Sequence, residues 1–304
     1  MRAQQRGVAI ILAMGVVALA ALTASAMMIA QSTWLRQSEL TADHVQAQAL
    51  IKVGVDWTRA LLSDDRRASN VDYLGEPWAL RLPPMPVENG ELTGRIDDQQ
   101  GVFNLNNLVK SGEVNLMQLA NFKRLLSILG LPPVLADALA DWIDTGSEPQ
   151  PQGGAEDEFY LALPQPYLAA NRLLIDVGEL AMVRGFDDGV RARLRPFVSA
   201  LPAFTAVNVN TASPEVIAAV IDGLGLDGAR ALVEKRERTY FRDRTDLINQ
   251  LPKDITMATE DISFSSDYFM VQMRVTIGSA QARSVALLER ADNNWPVIVW
   301  RKML

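Results

Sequence analysis

From Gly7 to Leu35 the chain carries no charged residue, and from Gly7 to Ala30 only Thr23 and Ser25 interrupt an apolar run. Such a stretch meets the ~20 residues that a helix needs to cross a bilayer. Arg2 and Arg6 precede it without a balancing acid, so the N-terminus is expected to stay cytoplasmic and everything after Ala30 to be exported. Two processing schemes fit these residues. Arg2 and Arg6, the apolar Val8 to Leu22 and the small Ala24-Ser25-Ala26 together describe a cleaved secretory signal that would release a soluble protein. Alternatively a short leader, residues 1–7, is removed after Gly7 and the apolar stretch is retained. Val45, Ala49, Val53, Trp57 and Leu61 recur every four residues, which predicts that the helix continues into water as an amphipathic rod to Leu62. A helix over 8–62 would be ~80 Å long at 1.5 Å per residue, a spine and not a signal.

The rest of the composition narrows the function classes. No Cys is present, so there is no disulfide, thiolate metal site or thiol nucleophile, and His44 is the single histidine. The net charge of −7 opposes nucleic acid in the absence of a basic cluster. No Gly-x-Ser-x-Gly, phosphate-binding loop or metal-histidine motif occurs, and His44 reads as a solvated helix residue. Trp34 reads as an interface anchor and Trp57 as a core residue. No enzymatic activity is expected.

Beyond the spine, Asp64-Asp65-Arg66-Arg67 closes the helix, and a Gly/Pro-punctuated segment offers extended stretches at Trp78 to Leu82 and Glu91 to Ile96. Near the end, Phe269, Val271, Met273, Val275 and Ile277 alternate with polar neighbours in the period of a half-buried strand. Arg283 to Glu289 follows a turn at Gly278-Ser279, and Trp295 to Trp300 follows an Asp292-Asn293-Asn294 turn, giving an antiparallel meander. The expected class is α+β, a long N-terminal helix on a small sheet (63–103 and 259–304) with an inserted all-α domain (104–258). Within the insert, Leu116, Leu119, Phe122, Leu125, Leu126 and Leu129 form one helical stripe ending at Gly130, and a second helix runs from Pro133 to Ile143. Ser213-Pro214-Glu215 starts a later helix that stops at Gly223-Leu224-Gly225 before another at Ala229 to Arg238. Asn104-Leu105-Asn106 precedes the first pair and Asn208-Val209-Asn210 the second, which suggests an internal repeat.

The later unit, 208–252, resembles a helix-hairpin-helix module, whose Gly-x-Gly hairpin can offer amides to phosphate. It holds six Lys+Arg against seven Asp+Glu, whereas phosphate binding needs a local positive excess. No nucleic acid is therefore expected, and Arg236, Arg238, Arg242 and Arg244 read as a solvated face or protein contact. A membrane-anchored DNA receptor remains the alternative function.

The densest chemical constellation lies just after a helix, where Asp141, Asp144, Glu148, Glu156, Asp157 and Glu158 put six carboxylates within eighteen residues. That loop either faces water or holds a hard cation, and oxygen ligands without His or Cys favour calcium. The spacing is not that of an EF-hand.

Arg6-Gly7-Val8-Ala9-Ile10-Ile11-Leu12 resembles the cleavage region of type IV pilin-like proteins, which a prepilin peptidase cuts after the Gly. Most of them carry Glu at the fifth position after the cut, where this chain has Leu12. That replacement is itself a feature of the minor pseudopilin K family of type II secretion systems, which the chain resembles along its length. The resemblance implies a pilin-like fold, cleavage between Gly7 and Val8, and methylation of the new N-terminus. It also implies storage in inner-membrane lipid as a single-pass protein with its bulk in the periplasm. Assembly with I-type and J-type minor pseudopilins, and with the H-type and major pseudopilin, would follow at the tip of a periplasmic fibre. A bulky insert suits a tip, where no subunit stacks above. Trp142-Ile143-Asp144 and Gly154-Ala155-Glu156-Asp157 resemble the family's calcium-binding segment, in which members often have Asp where Gly146 stands. The resemblance thus implies calcium on Asp144, Glu156 and Asp157, with Glu148 and Glu158 as further ligands.

Overall fold

The computed structural model describes residues 4–81, 83–253, 255, 259–290 and 295–304. A single helix, α1 (Gln4–Ala68), takes up 65 residues, about 97 Å at 1.5 Å per residue. It passes Leu62 and the Asp64-Asp65-Arg66-Arg67 cluster, because Arg66 and Arg67 sit in its last turn, where positive charge complements the helix dipole.

A short edge strand β1 (Met85–Val87) turns back into β2 (Gly90–Asp98). The extended stretch expected at Trp78 to Leu82 is not a strand. Residues 78–80 form a turn, Leu82 lies outside the described residues, and Trp78 is buried with its indole N–H donating to Glu76 Oε2 at 2.7 Å. Proline at 83 and 84 removes backbone donors there, so pairing begins only at Met85.

The chain then leaves the sheet for a helical block. In order these are β3 (Phe103–Asn104), the hairpin strands β4 (Val109–Lys110) and β5 (Glu113–Val114), α2 (Leu116–Ile128), α3 (Leu135–Ile143), α4 (Asp157–Leu161) and α5 (Asp188–Leu194). After them come β6 (Val198–Ser199), β7 (Val207–Asn208), α6 (Pro214–Val220), α7 (Gly225–Arg238), α8 (Arg244–Ile248) and β8 (Ile262–Ser263). The long strands β9 (Tyr268–Ile277), β10 (Ala280–Glu289) and β11 (Val297–Met303) complete an antiparallel sheet of order β1-β2-β9-β10-β11. The Asp292-Asn293-Asn294 turn lies outside the described residues.

Two cores result. One joins α1 to the sheet through Ala47, Ile51, Val55 and Leu62 against Leu92, Phe269, Val271, Val275 and Leu288. The other fills the helical block, where Leu119, Phe122, Leu125 and Leu126 of α2 pack with Leu139, Ile217 and Val220. Leu116, expected in the α2 stripe, is 73% exposed because Asn115 caps the helix at the residue before it, and the first turn projects past the core.

The two halves of the block repeat one design. β3 pairs in parallel with β6, and β7 pairs in parallel with β8. The first Asn of each Asn-x-Asn accepts the backbone N–H of the second, Asn104 from Asn106 and Asn208 from Asn210. The second Asn then clamps one distant backbone. Asn106 Oδ1 accepts from Leu174 N while its Nδ2 donates to Leu174 O, and Asn210 makes the same pair with Phe241 N and O. Each following helix ends before a left-handed glycine, Gly130 (φ 66°) after α2 and Gly223 (φ 76°) after α6.

Candidate assembly surface and cation loop

The apolar N-terminal part of α1 has no partner among the described residues. In its most hydrophobic window none of the residues is buried, and Ile10, Ile11 and Leu12 are exposed. Gly7 and Val8, the expected cleavage pair, belong to the backbone of α1, and residues 1–3 lie outside the described residues.

Further along, α1 carries two apolar stripes where the sequence suggested one. The Val45, Ala49, Val53, Trp57 series does not face the sheet: Val45 is 60% and Val53 62% exposed. The buried face is instead Ala47, Ile51, Gly54, Val55, Thr58 and Leu62. At about 100° per residue Val45, Ala49, Val53 and Trp57 lie on the side of the helix opposite this buried face, so one helix carries both series and only one of them meets the sheet. Trp57, expected in the core, is 43% exposed, while Trp34 stands free at 66%. Trp34, Thr41, Val45 and Ala49 line one open face of the helix. His44 is exposed and bonds Gln48 at 2.9 Å.

In the acidic loop the structure brings together a different set of carboxylates from the expected one. Asp141 and Asp144 lie at the end of α3, and Glu156 is the N-cap of α4; all three are buried. Asp144 Oδ1 accepts from Gly146 N at 2.9 Å, and Asp141 accepts from Gln150 N at 3.0 Å. Gly154 is required here, since a Cβ would fall 2.1 Å from Asp141 Oδ2. Asp157 is held by Ala169 N at 2.9 Å. Burial, then the charges of Asp141, Asp144 and Asp157, push Glu156 up to about 7, and its buried Oε1 has no partner. Burial chiefly raises Asp141 to about 6, and it raises Asp144 as well.

Glu148 and Glu158 are exposed and stand apart from this buried group. No three loop carboxylates bring oxygens within 4.8 Å of one another among the described residues. The donor set is nevertheless suited to a hard cation: all oxygen, mutually repelling, with one orphaned carboxylate oxygen.

Of the trio that does converge within 4.8 Å, Asp65 and Asp72 are paired with a protein cation, while Glu76 accepts from Tyr73 N and the Trp78 indole. Arg290, 1% exposed, donates to Asp72 at 2.6 Å, Asp65 at 2.8 Å and Ser266 O at 2.8 Å, with its guanidinium 4.8 Å from the Phe269 ring centroid. This network ties the end of α1 to the exit of the helical block. Its members are scattered from 65 to 290 and carry no local motif, so nothing in the sequence joined them.

The hairpin resembling a phosphate-binding module is internally neutralised. Asp222 pairs with Arg124 at 2.8 Å, Arg242 with Asp246 at 2.9 Å and Asp227 with Arg230 at 3.3 Å. Arg236 is not on a solvated face: it donates to Val209 O, and burial lowers it to about 10.

Comparison with known proteins agrees with this architecture. Two family models described as "Type II secretion system (T2SS), protein K" match residues 101–203 and 207–264, one for each half of the duplicated block. A protein named type II secretion system protein K from Pseudomonas aeruginosa is 35% identical over 100% of this chain and 94% of the relative. Its namesake from Klebsiella pneumoniae is 32% identical over 98% and 96%. A chain in the crystal structure of the GspK-GspI-GspJ complex from the enterotoxigenic Escherichia coli type 2 secretion system superposes with a TM-score of 0.77. That match has 24% identity and covers 88% of this chain and 99% of the other, so it speaks for the fold. With these matches spanning both halves of the block and relatives aligned end to end, the chain belongs to the type II secretion system protein K family.

Proposed function

We propose that this protein is a minor pseudopilin of the type II secretion machinery, without catalytic activity, that sits at the tip of the periplasmic pseudopilus and helps start its assembly. After cleavage between Gly7 and Val8 by prepilin peptidase, the apolar half of α1 anchors the subunit in the inner membrane and later packs beside I-type and J-type partners. The observation that carries this reading is the pair of stripes on α1: one buries Ile51 and Val55 on the sheet, while the other leaves Val45 and Val53 in solvent. A helix that spends only half of its apolar surface on its own fold retains a surface for bundling. The solved complex of a fold relative with I and J subunits supports those partners. The acidic loop takes calcium through Asp144 and Glu156, with Asp141 and Asp157 beside them, which would pair the orphaned Glu156 Oε1.

Sequencing the mature N-terminus of protein isolated from cells tests the anchor, with Val8 expected; a start at Met27 would refute it. Val45→Asp with Val53→Asp should leave the monomer's melt unchanged and abolish co-purification with the I and J subunits. Unimpaired co-purification would overturn the bundling role.

A further inference from the structure

The sheet ends on β11, whose outer edge pairs with no strand among the described residues. The backbone donors and acceptors that β11 turns away from β10 over Val297 to Met303 have no strand partner among the described residues, and Val297 and Met303 are exposed at 55% and 44%. Such edges are where an extended segment of another chain can add a strand. A register shift between Leu287 and Leu288 leaves Val299 as the extra residue of a bulge. As a result Ile298 and Arg301 both turn toward α1, while Trp300 turns the other way onto Leu201 and Tyr268.

Between this edge and α1 runs an open cleft lined by Lys52, Val55, Asp56, Arg59, Ile298 and Arg301. Three cations face one carboxylate there, in a chain whose net charge is −7. Arg59 is fixed in place by Asp56 at 2.9 Å and by Pro296 O at 2.6 Å, with Trp295 under its guanidinium. Lys52 and Arg301 are exposed and make no ion pair among the described residues. The positive potential is therefore available to a partner, and it runs alongside unpaired strand backbone.

We propose that β11 and this cleft receive an extended acidic segment of a partner protein, added as a sixth strand to the sheet with its carboxylates toward Lys52, Arg59 and Arg301. The edge would supply the backbone hydrogen bonds, and the cleft would select the charge. A second copy of this chain fits poorly, because two β11 edges would bring two sets of the same cations to one seam. Anionic lipid is out of reach of an upright α1: Lys52 lies seventeen residues beyond Leu35, about 25 Å along the helix.

The test uses the full chain in detergent micelles and three synthetic eight-residue peptides: alternating Glu and Val, alternating Lys and Val, and the Glu peptide with every second amide N-methylated. Amide hydrogen exchange over Val297 to Met303 is the readout. The Glu peptide should slow exchange along β11, and the N-methylated form should not. Lys52→Glu with Arg301→Glu should weaken the Glu peptide about tenfold, from two exposed charge pairs reversed, and strengthen the Lys peptide. Equal protection by both charged peptides, protection indifferent to the double variant, or protection by the N-methylated peptide would overturn the proposal. So would slowed exchange in the peptide-free protein that depends on its own concentration, or slowing by anionic lipid vesicles but not by the Glu peptide.

Discussion

Replacing Arg290 by Met should destabilise the junction between α1, the sheet and the helical block more than any surface change. The side chain is 1% exposed and serves Asp72, itself 2% exposed, at two 2.6 Å contacts, together with Asp65 and Ser266 O. Met replaces the stem but leaves the carboxylates uncompensated, and removing one partner of a buried pair costs about 3–5 kcal/mol. At about 2–4 °C per kcal/mol for a domain of this size, the melt should fall by roughly 6–20 °C. Trp78 is a suitable reporter, being buried and edge-on to Phe269 at 5.1 Å, so tryptophan emission during urea unfolding at pH 8 measures the loss. The deficit should also depend on pH. Burial raises Asp65 to about 6 even with Arg290 present, and removing the guanidinium pushes it further up. A carboxyl raised in the folded state contributes stability that is complete below its unfolded value and is lost as pH climbs through its folded value. The variant should therefore recover part of its deficit between pH 8 and pH 5, and adding Asp72→Asn should restore part of it at pH 8. A loss under 1 kcal/mol at pH 8, or a deficit that grows on acidification, would refute the reasoning.

Glu76→Gln should make the protein relatively more stable at pH 8 than at pH 4. Burial raises Glu76 from 4.5 to about 7, so its favourable protonated state is lost as pH rises through 7; paired urea titrations at the two pH values check this. Asn210→Ala should cost about 2–4 kcal/mol by orphaning both backbone groups of Phe241, with hydrogen exchange accelerating in α7 and α8 before it does in α2, while Asn106→Ala shows the reverse order. Glu156→Gln should melt above the unsubstituted protein in chelator, where like-charge repulsion is relieved, and below it in millimolar calcium; the same order in both conditions would exclude a cation at this loop.

The sequence alone carried whatever depends on local pattern. A charge-free run long enough for a bilayer marks the apolar half of α1, alternation from Phe269 to Ile277 marks the central strand, and Ser213-Pro214-Glu215 marks the start of α6, where Ser213 accepts from Val216 N. The paired Asn-x-Asn triplets announced the duplication, because each does its work within two residues before reaching outward. The acidic loop was visible as composition, yet which carboxylates would meet in it was not. Asp141 is brought beside Glu156 by the closure of the loop at Gly154, and Glu148 is left outside.

Only the tertiary structure decided which stripe of α1 is used. Helical periodicity says which residues share a face and is silent about whether a sheet or another subunit will cover that face. The same limit hid the Arg290 network: a long-range ion cluster has no period, because its members are set side by side by chain crossing and not by chain spacing.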